Sequence, residues 1–166
     1  MTLDSIGIAN LMNKKIIVAE QNMNLIGVSK IMSDNNIGCV VIVDSLETRK
    51  PIGIITERDV IRTIGRLQPH QLVVPVRDHM SHPIITLSSS ATVSDAMKLM
   101  YERKIRRVII LEKDKLEGIL TDKDIFRALV ENKDLLSSVM TSNLPIPENQ
   151  MKDDISHFWF FNTFIE

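Results

Sequence analysis

Apolar residues follow one pattern that occurs twice along the chain. A short apolar run at 16–19 leads through polar turn residues to a helical spacing of Leu25, Val28, Ile31 and Met32. The β-branched run 39–43 has the unbroken hydrophobicity of a buried strand. A second apolar run at 52–55 lies close enough to pair with it as a hairpin, and Val60, Ile61 and Ile64 mark a closing helix. The series returns at 84–87, at Val93, Ala96, Met97 and Met100, at 108–111, at 116–120, and at Ile125, Phe126, Leu129 and Val130. The pattern predicts β-α-β-β-α twice over, a mixed α/β (α+β) fold.

The two copies share residues as well as rhythm. GIITERDVIRTI at 53–64 aligns with GILTDKDIFRAL at 118–129 at an offset of 65, pairing Gly53/Gly118, Ile54/Ile119, Thr56/Thr121, Asp59/Asp124 and Arg62/Arg127. Upstream the offset is 68, pairing Met12, Ile16, Ile17, Lys30, Met32, Ile37, Val40 and Ile42 with Met80, Ile84, Ile85, Lys98, Met100, Ile105, Val108 and Ile110. The three-residue difference falls in the polar stretch SLETRK, where a loop can lengthen without disturbing a core. The expected organisation is a first motif with its lead-in at 1–68, a second at 69–132, and an extension at 133–166. A unit of roughly 55 residues has a marginal core, so the two are expected to pack as a pseudo-two-fold pair. The joining segment 65–78 carries Leu72, Val73, Val74 and Val76, too apolar for a free linker, and is expected to pack.

The doubled Gly-apolar-apolar-Thr-x-x-Asp stretch sits where a strand ends and a helix begins. Backbone N–H groups there lack intrahelical partners and suit phosphate or hydroxyl groups. A threonine hydroxyl can donate and accept, and an aspartate can accept from two vicinal hydroxyls, as ribose recognition requires. Gly53 and Gly118 keep the strand bare for close backbone approach. The same residues are also plain helix caps, with an acidic residue three on from the threonine. The two readings can coexist.

The doubled unit with GIITERD and GILTDKD resembles a pair of CBS domains, over roughly residues 9–132. The resemblance implies a regulatory module that senses adenine nucleotides (AMP, ADP or ATP) between paired motifs, with S-adenosylmethionine as an alternative ligand. It also implies a homodimer, an unidentified regulated protein and no catalytic cofactor. By position, the ribose aspartate falls on Asp59 and Asp124 and the hydroxyl residue on Thr56 and Thr121. The adenine slot falls on Ile16, Ile17, Val18, Ile37, Gly38 and Cys39 in one site, and on Ile84, Ile85, Thr86, Ile105, Arg106 and Arg107 in the other. Phosphates would meet Arg58 or Lys123. Arg106-Arg107 in place of Gly38-Cys39 favours charged nucleotides at the second site, unless the pair is a solvated edge or is salt-bridged to Glu102. Neither unit has the proline common in the family's second strand.

Composition and charge remove alternatives. The 166 residues carry 20 Lys plus Arg against 21 Asp plus Glu, a net charge of −1 that disfavours a nucleic-acid binder. A vacant scaffold or nucleic-acid adaptor is the remaining alternative to a sensor. One cysteine, Cys39, allows no internal disulfide and is expected to be a small core residue. No apolar stretch reaches a membrane span and no leader is visible, so a soluble protein of the cytoplasm is expected. No nucleophile–base set or Gly-rich phosphate loop is readable, so the chain is expected not to be an enzyme. Asp78, His79 and His82 fall short of a converging metal set, and His82 is instead a candidate to line the ligand cleft. The stretch ISHFWFFNTFIE at 155–166 holds five of the chain's seven aromatics and is expected to support homodimerisation.

Overall fold

The computed structural model describes residues 3–68 and 73–132. Each copy is β-α-β-β-α, as the hydrophobic pattern predicts. The first runs β1 (Val18–Glu20), α1 (Leu25–Asn35), β2 (Cys39–Val43), β3 (Pro51–Thr56) and α2 (Glu57–Ile64). The second runs β4 (Thr86–Ser88), α3 (Val93–Arg103), β5 (Arg107–Glu112), β6 (Lys115–Thr121) and α4 (Asp122–Glu131). The strands form two three-stranded sheets, ordered β1-β2-β3 and β4-β5-β6.

Parallel pairing across a helix and antiparallel pairing across a short loop follow from the chain order. Val18 lies opposite Val41 in the parallel β1–β2 pair, and Thr86 opposite Ile109 in β4–β5. In the antiparallel β2–β3 pair, Cys39 lies opposite Thr56 and Val41 opposite Ile54. Four of the five β2 residues are buried, as expected of a central strand covered on both faces. The connections differ in chemistry. β5 and β6 turn through Lys113 and Asp114, both at positive φ, the backbone a two-residue hairpin needs. The longer loop after β2 is closed by Asp44, whose Oδ1 accepts from the Ser45 and Lys50 amides at 2.7 and 3.1 Å and from the Thr48 hydroxyl.

The described residues form two compact units. One draws on 3–11, 90–107 and 120–132, the other on 12–68, 73–89 and 108–119. The core of the second gathers Ala19, Leu25, Val28, Met32, Val40, Ile42, Ile55, Val60 and Val76.

The lead-in segments account for these memberships. Residues 6–8 bond to the start of the second copy's first helix: Ile8 N–H donates to Ala91 at 3.0 Å and Val93 N–H to Ile6 at 2.9 Å. Asn13 then exchanges backbone bonds of 2.9 and 3.0 Å with Ile119 on β6. The segment before the second copy does the same for the first. Leu25 N–H donates to Val74 at 2.9 Å, Val76 N–H to Met23 at 2.8 Å, and Ser81 exchanges bonds of 2.8 and 3.1 Å with Ile54 on β3. Ile8 and Val76, one repeat apart, are both fully buried.

Three packing expectations need correction. Ile61 and Ile64 are 70% and 51% exposed, while Val60 and Thr63 face inward, because a 100° step per residue carries Ile61 past the edge of the buried stripe. Val130 is likewise exposed on α4, where Ile125 and Leu129 are buried. In the joining segment Val76 is buried and Val74 packs on the core, whereas Val73 is exposed and Leu72 lies outside the described residues.

Candidate functional site

The repeated Thr-x-x-Asp forms a full capping box in both copies. Thr56 is the N-cap of α2, and Thr121 that of α4. In the first, Asp59 Oδ2 accepts from the Thr56 amide at 2.9 Å and hydroxyl at 2.7 Å, and Asp59 N–H donates back to Thr56 Oγ1 at 3.4 Å. The second repeats this with Asp124 and Thr121 at 2.9, 2.6 and 3.3 Å.

This settles what each group has left to offer. The threonine hydroxyl spends its one proton on the aspartate, so it can only accept from a ligand. The aspartate commits Oδ2 to the cap, and among the described residues Oδ1 takes no partner, leaving an acceptor for a ligand hydroxyl. Capping and ligand binding are compatible on one side chain. The box alone is no ligand signature, however, because Thr92 and Asp95 form the same box at the start of α3. There the Thr92 amide and hydroxyl on Asp95 hold its carboxyl below the usual carboxylate range.

Around Asp59 the chain brings the first set of candidates together within one unit. Val41 N–H donates to Ile17 at 3.4 Å, Cys39 lies opposite Thr56, and Glu57 N–H donates to Gly38 at 3.3 Å. Ile16, Ile17, Val18, Ile37, Gly38, Cys39, Thr56 and Asp59 are half-buried and Arg58 is exposed, beside a core whose members Ala19, Val40 and Val60 are closed to solvent. Cys39 is thus a half-exposed strand residue rather than a core residue, because it opens β2 at the sheet's end.

The second set is divided. Ile105, Arg106, Arg107, Thr121, Lys123 and Asp124 belong to one unit, and His82, Ile84, Ile85 and Thr86 to the other. His82 is exposed. Within the first group Asp122 N–H donates to Arg106 at 3.0 Å, matching the Glu57–Gly38 bond. The alternative of a salt bridge from Arg106-Arg107 to Glu102 is not what forms. Arg106 Nε instead donates to Asp122 Oδ2 at 2.6 Å, while Glu102 faces Lys98 at 4.0 Å. Glu102 shares a helix with Lys98 one turn away, whereas the backbone bond already holds Asp122 beside Arg106.

The sequence reading missed Asp122 as a partner, and it missed what the glycines accommodate. A Cβ on Gly53 would run into the Met80 side chain, and one on Gly118 into Met12. The bare strand positions are filled by the lead-in methionines of the opposite copy. Their recurrence 68 residues apart was the available signal. Among the described residues no group of His, Cys, Asp or Glu is placed to hold a metal ion, and no helix is long and apolar enough to cross a membrane. The aromatic stretch 155–166 lies outside the described residues.

Comparison with known proteins places these features. The CBS domain pattern matches the chain twice, at 8–66 and 76–131. An uncharacterised protein of Methanopyrus kandleri is 35% identical over 124 residues, spanning 74% of this chain and 62% of its own length. A mitochondrial CBS domain-containing protein of Arabidopsis thaliana is 32% identical over 61% of this chain and 50% of its own. Among solved structures, the CBS domain pair of protein MJ0100, in complex with 5′-methylthioadenosine and S-adenosyl-L-methionine, superposes with a TM-score of 0.67 at 25% identity, covering 75% of this chain and 96% of that one. A CBS domain protein of Pyrobaculum aerophilum complexed with AMP has the same fold, with a TM-score of 0.69 at 24% identity over 82% of this chain and 100% of that one.

Proposed function

The chain belongs to the CBS-domain family, and on that premise we propose that it is a non-catalytic regulatory module that binds adenosine-bearing ligands and relays their presence by a change of conformation. AMP, ADP and ATP are the first ligands to consider. The ligands of the MJ0100 pair add S-adenosylmethionine as the second reading. The observation that carries the proposal is the doubled CBS pattern at 8–66 and 76–131, in which Asp59 and Asp124 recur at the same place, each with one carboxylate oxygen left after closing its own helix.

At the first site Asp59 accepts ribose hydroxyls, Ile16, Ile17, Val18, Ile37, Gly38 and Cys39 cover the adenine, and Arg58 meets the phosphates. By repeat correspondence, Asp124 takes the ribose at the second site, with Ile105, Arg106 and Arg107 at the base and Lys123 at the phosphates. Thr56 and Thr121 orient the aspartates. A ligand shifts the population toward whichever arrangement binds it better, in proportion to its differential affinity. The module works in the cytoplasm as a homodimer, the exposed Ile61 and Ile64 of α2 giving a second copy apolar surface to cover, and an unidentified protein reads its state.

Calorimetric titration of AMP, ATP and S-adenosylmethionine into wild-type, Asp59→Asn and Asp124→Asn chains tests this. Asparagine keeps an oxygen for the cap but loses the charge. Hydrogen bonds to a charged group contribute about 1.5–3 kcal/mol, so each bond lost weakens binding roughly 10–100-fold. Unchanged affinity in both variants removes the site assignment, and ATP turnover by the wild-type chain removes the non-catalytic reading.

A further inference from the structure

The last helices of the two copies start on the same backbone frame and differ in charge. In each, the first helical amide donates to the residue just before the central strand: Glu57 to Gly38 at 3.3 Å, Asp122 to Arg106 at 3.0 Å. In the first copy the side chains there are a hydrogen atom and an exposed carboxylate. In the second they are an ion pair at 2.6 Å, with side chains 28% exposed for Arg106 and 10% for Asp122. The other oxygen of Asp122 accepts from the Lys123 amide at 2.9 Å. Both carboxylate oxygens are therefore engaged, and the guanidinium has its counter-charge built in. Removing one partner of such a pair leaves a charge without compensation in a poorly solvated place, so the pair resists being opened by a ligand.

We propose that Asp122 sets the ligand-charge preference of the Asp124 site: by neutralising Arg106 it withholds that cation from ligand phosphates. The inference rests on the adenosine-binding reading and deepens it. The bond to Asp122 uses Nε, so what Asp122 takes away is the net positive charge that would draw phosphate oxygens to the guanidinium's other donors. A phosphate approaching the pair meets a cation and a carboxylate whose fields largely cancel. The exposed Lys123 and half-buried Arg107 supply the attraction that remains. The wild-type site thus ranks adenosine compounds by base and ribose more than by phosphate number. Two adjacent arginines in the sequence overstate its cationic character, because one is already spoken for by a residue sixteen positions later.

The test is calorimetry of adenosine, AMP and ATP on the full chain carrying Asp59→Asn, which weakens the other site. Adding Asp122→Asn preserves shape and an acceptor for Arg106 while unmasking its charge. ATP affinity should rise about 10-fold relative to adenosine, with adenosine itself changed less than 2-fold. A ratio that stays level or falls overturns the proposal. Should that variant fold poorly, R106Q/D122N removes both charges together. It should leave the ATP-to-adenosine ratio as in the parent, and a 10-fold fall would show Arg106 gripping phosphate directly, overturning the proposal. In either variant, a merely structural role for the pair would weaken adenosine, AMP and ATP alike, whereas the proposal leaves adenosine within 2-fold of the parent; a uniform loss overturns it. Binding of none of them to the parent or to the wild-type chain removes the adenosine site itself, a different failure from a bound ligand whose ratio ignores Asp122.

Discussion

The two copies share a frame and differ in what they hang on it. Both close their last helix with a Thr–Asp box, both tie the first amide of that helix to the residue before the central strand, and both receive a bonded lead-in from the opposite copy. The first copy leaves Gly38 and Glu57 without a mutual bridge, and the second places the Arg106–Asp122 pair there. Capping and strand pairing satisfy backbone groups, which no copy can leave unpaired when buried. They recur for that reason. The side chains at the helix start have no such duty and are where the two copies differ in charge.

Equivalence of the frame is open to a direct challenge at the lead-ins, where the largest effect is expected. Ile8 and Val76 are both fully buried at corresponding positions. Ile8→Ala should destabilise the chain by about 2–5 kcal/mol through transfer and cavity terms. Val76→Ala removes one methylene fewer and should cost about 0.8 kcal/mol less. Urea midpoints of the two variants check the order. A loss below about 1 kcal/mol at Ile8 would break the comparison, since the N-terminal lead-in would then contribute little of what its counterpart does.

The glycines sharpen the comparison at a smaller scale. At Gly118 the three atoms nearest a new Cβ all belong to the Met12 side chain, with Cγ at 2.8 Å and Cβ at 3.1 Å. At Gly53 the neighbours are Met80 and, at 3.0 Å, the backbone oxygen of Ser81. Alanine at either position should destabilise by about 1–3 kcal/mol, the usual range for overpacking. Relief should differ. Combining Gly118→Ala with Met12→Ala should show a favourable coupling of about 1 kcal/mol or more, because the obstructing side chain is gone. Combining Gly53→Ala with Met80→Ala should recover less, because the Ser81 carbonyl stays. Equal coupling in the two double-mutant cycles would contradict this geometry.

The fold was legible because its signals are local and periodic. The runs at 39–43 and 108–111 fall within observed strands β2 (Cys39–Val43) and β5 (Arg107–Glu112), and the apolar spacings place all four helices. Boundaries shifted where pairing decides them. The apolar run at 16–19 yields a strand only at Val18–Glu20, since Ile16 N–H turns back to Lys14 and the parallel register begins at Val18. The positions of Thr56, Asp59, Thr121 and Asp124 at helix starts were readable, because capping chemistry lies within four residues. Arg106 finding Asp122 rather than Glu102 was not readable, since it depends on two elements meeting in space. Nor was the exchange of lead-ins. Met12 and Met80 are visible as a repeated pair, but nothing local says which copy each one touches.

The smallest expected effect separates the copies by acid. The first helices of the two copies are capped at corresponding positions by different chemistry. Asn24 Oδ1 accepts from the Gly27 amide at 2.7 Å at the start of α1, a cap with no proton to gain. At the start of α3, Asp95 accepts from the Thr92 amide at 2.9 Å and hydroxyl at 2.8 Å, which holds its carboxyl below the ordinary value of 3.8. A carboxyl depressed in the folded state contributes stability that is fully present above its unfolded value. That contribution is lost as pH falls below 3.8 and through the lowered folded value. The group is exposed, so the loss is modest, within the ~0.5–2 kcal/mol that N-terminal capping groups contribute. It should nevertheless be one-sided. Hydrogen exchange of amides in the first turn of α3 should accelerate relative to those of α1 as pH is lowered from 5 to about 3, after correction for intrinsic rates. Asp95→Asn should remove the pH dependence of that difference and leave α1 untouched. If the two helix starts loosen in parallel in the wild-type chain, the caps do not govern the acid response of either copy.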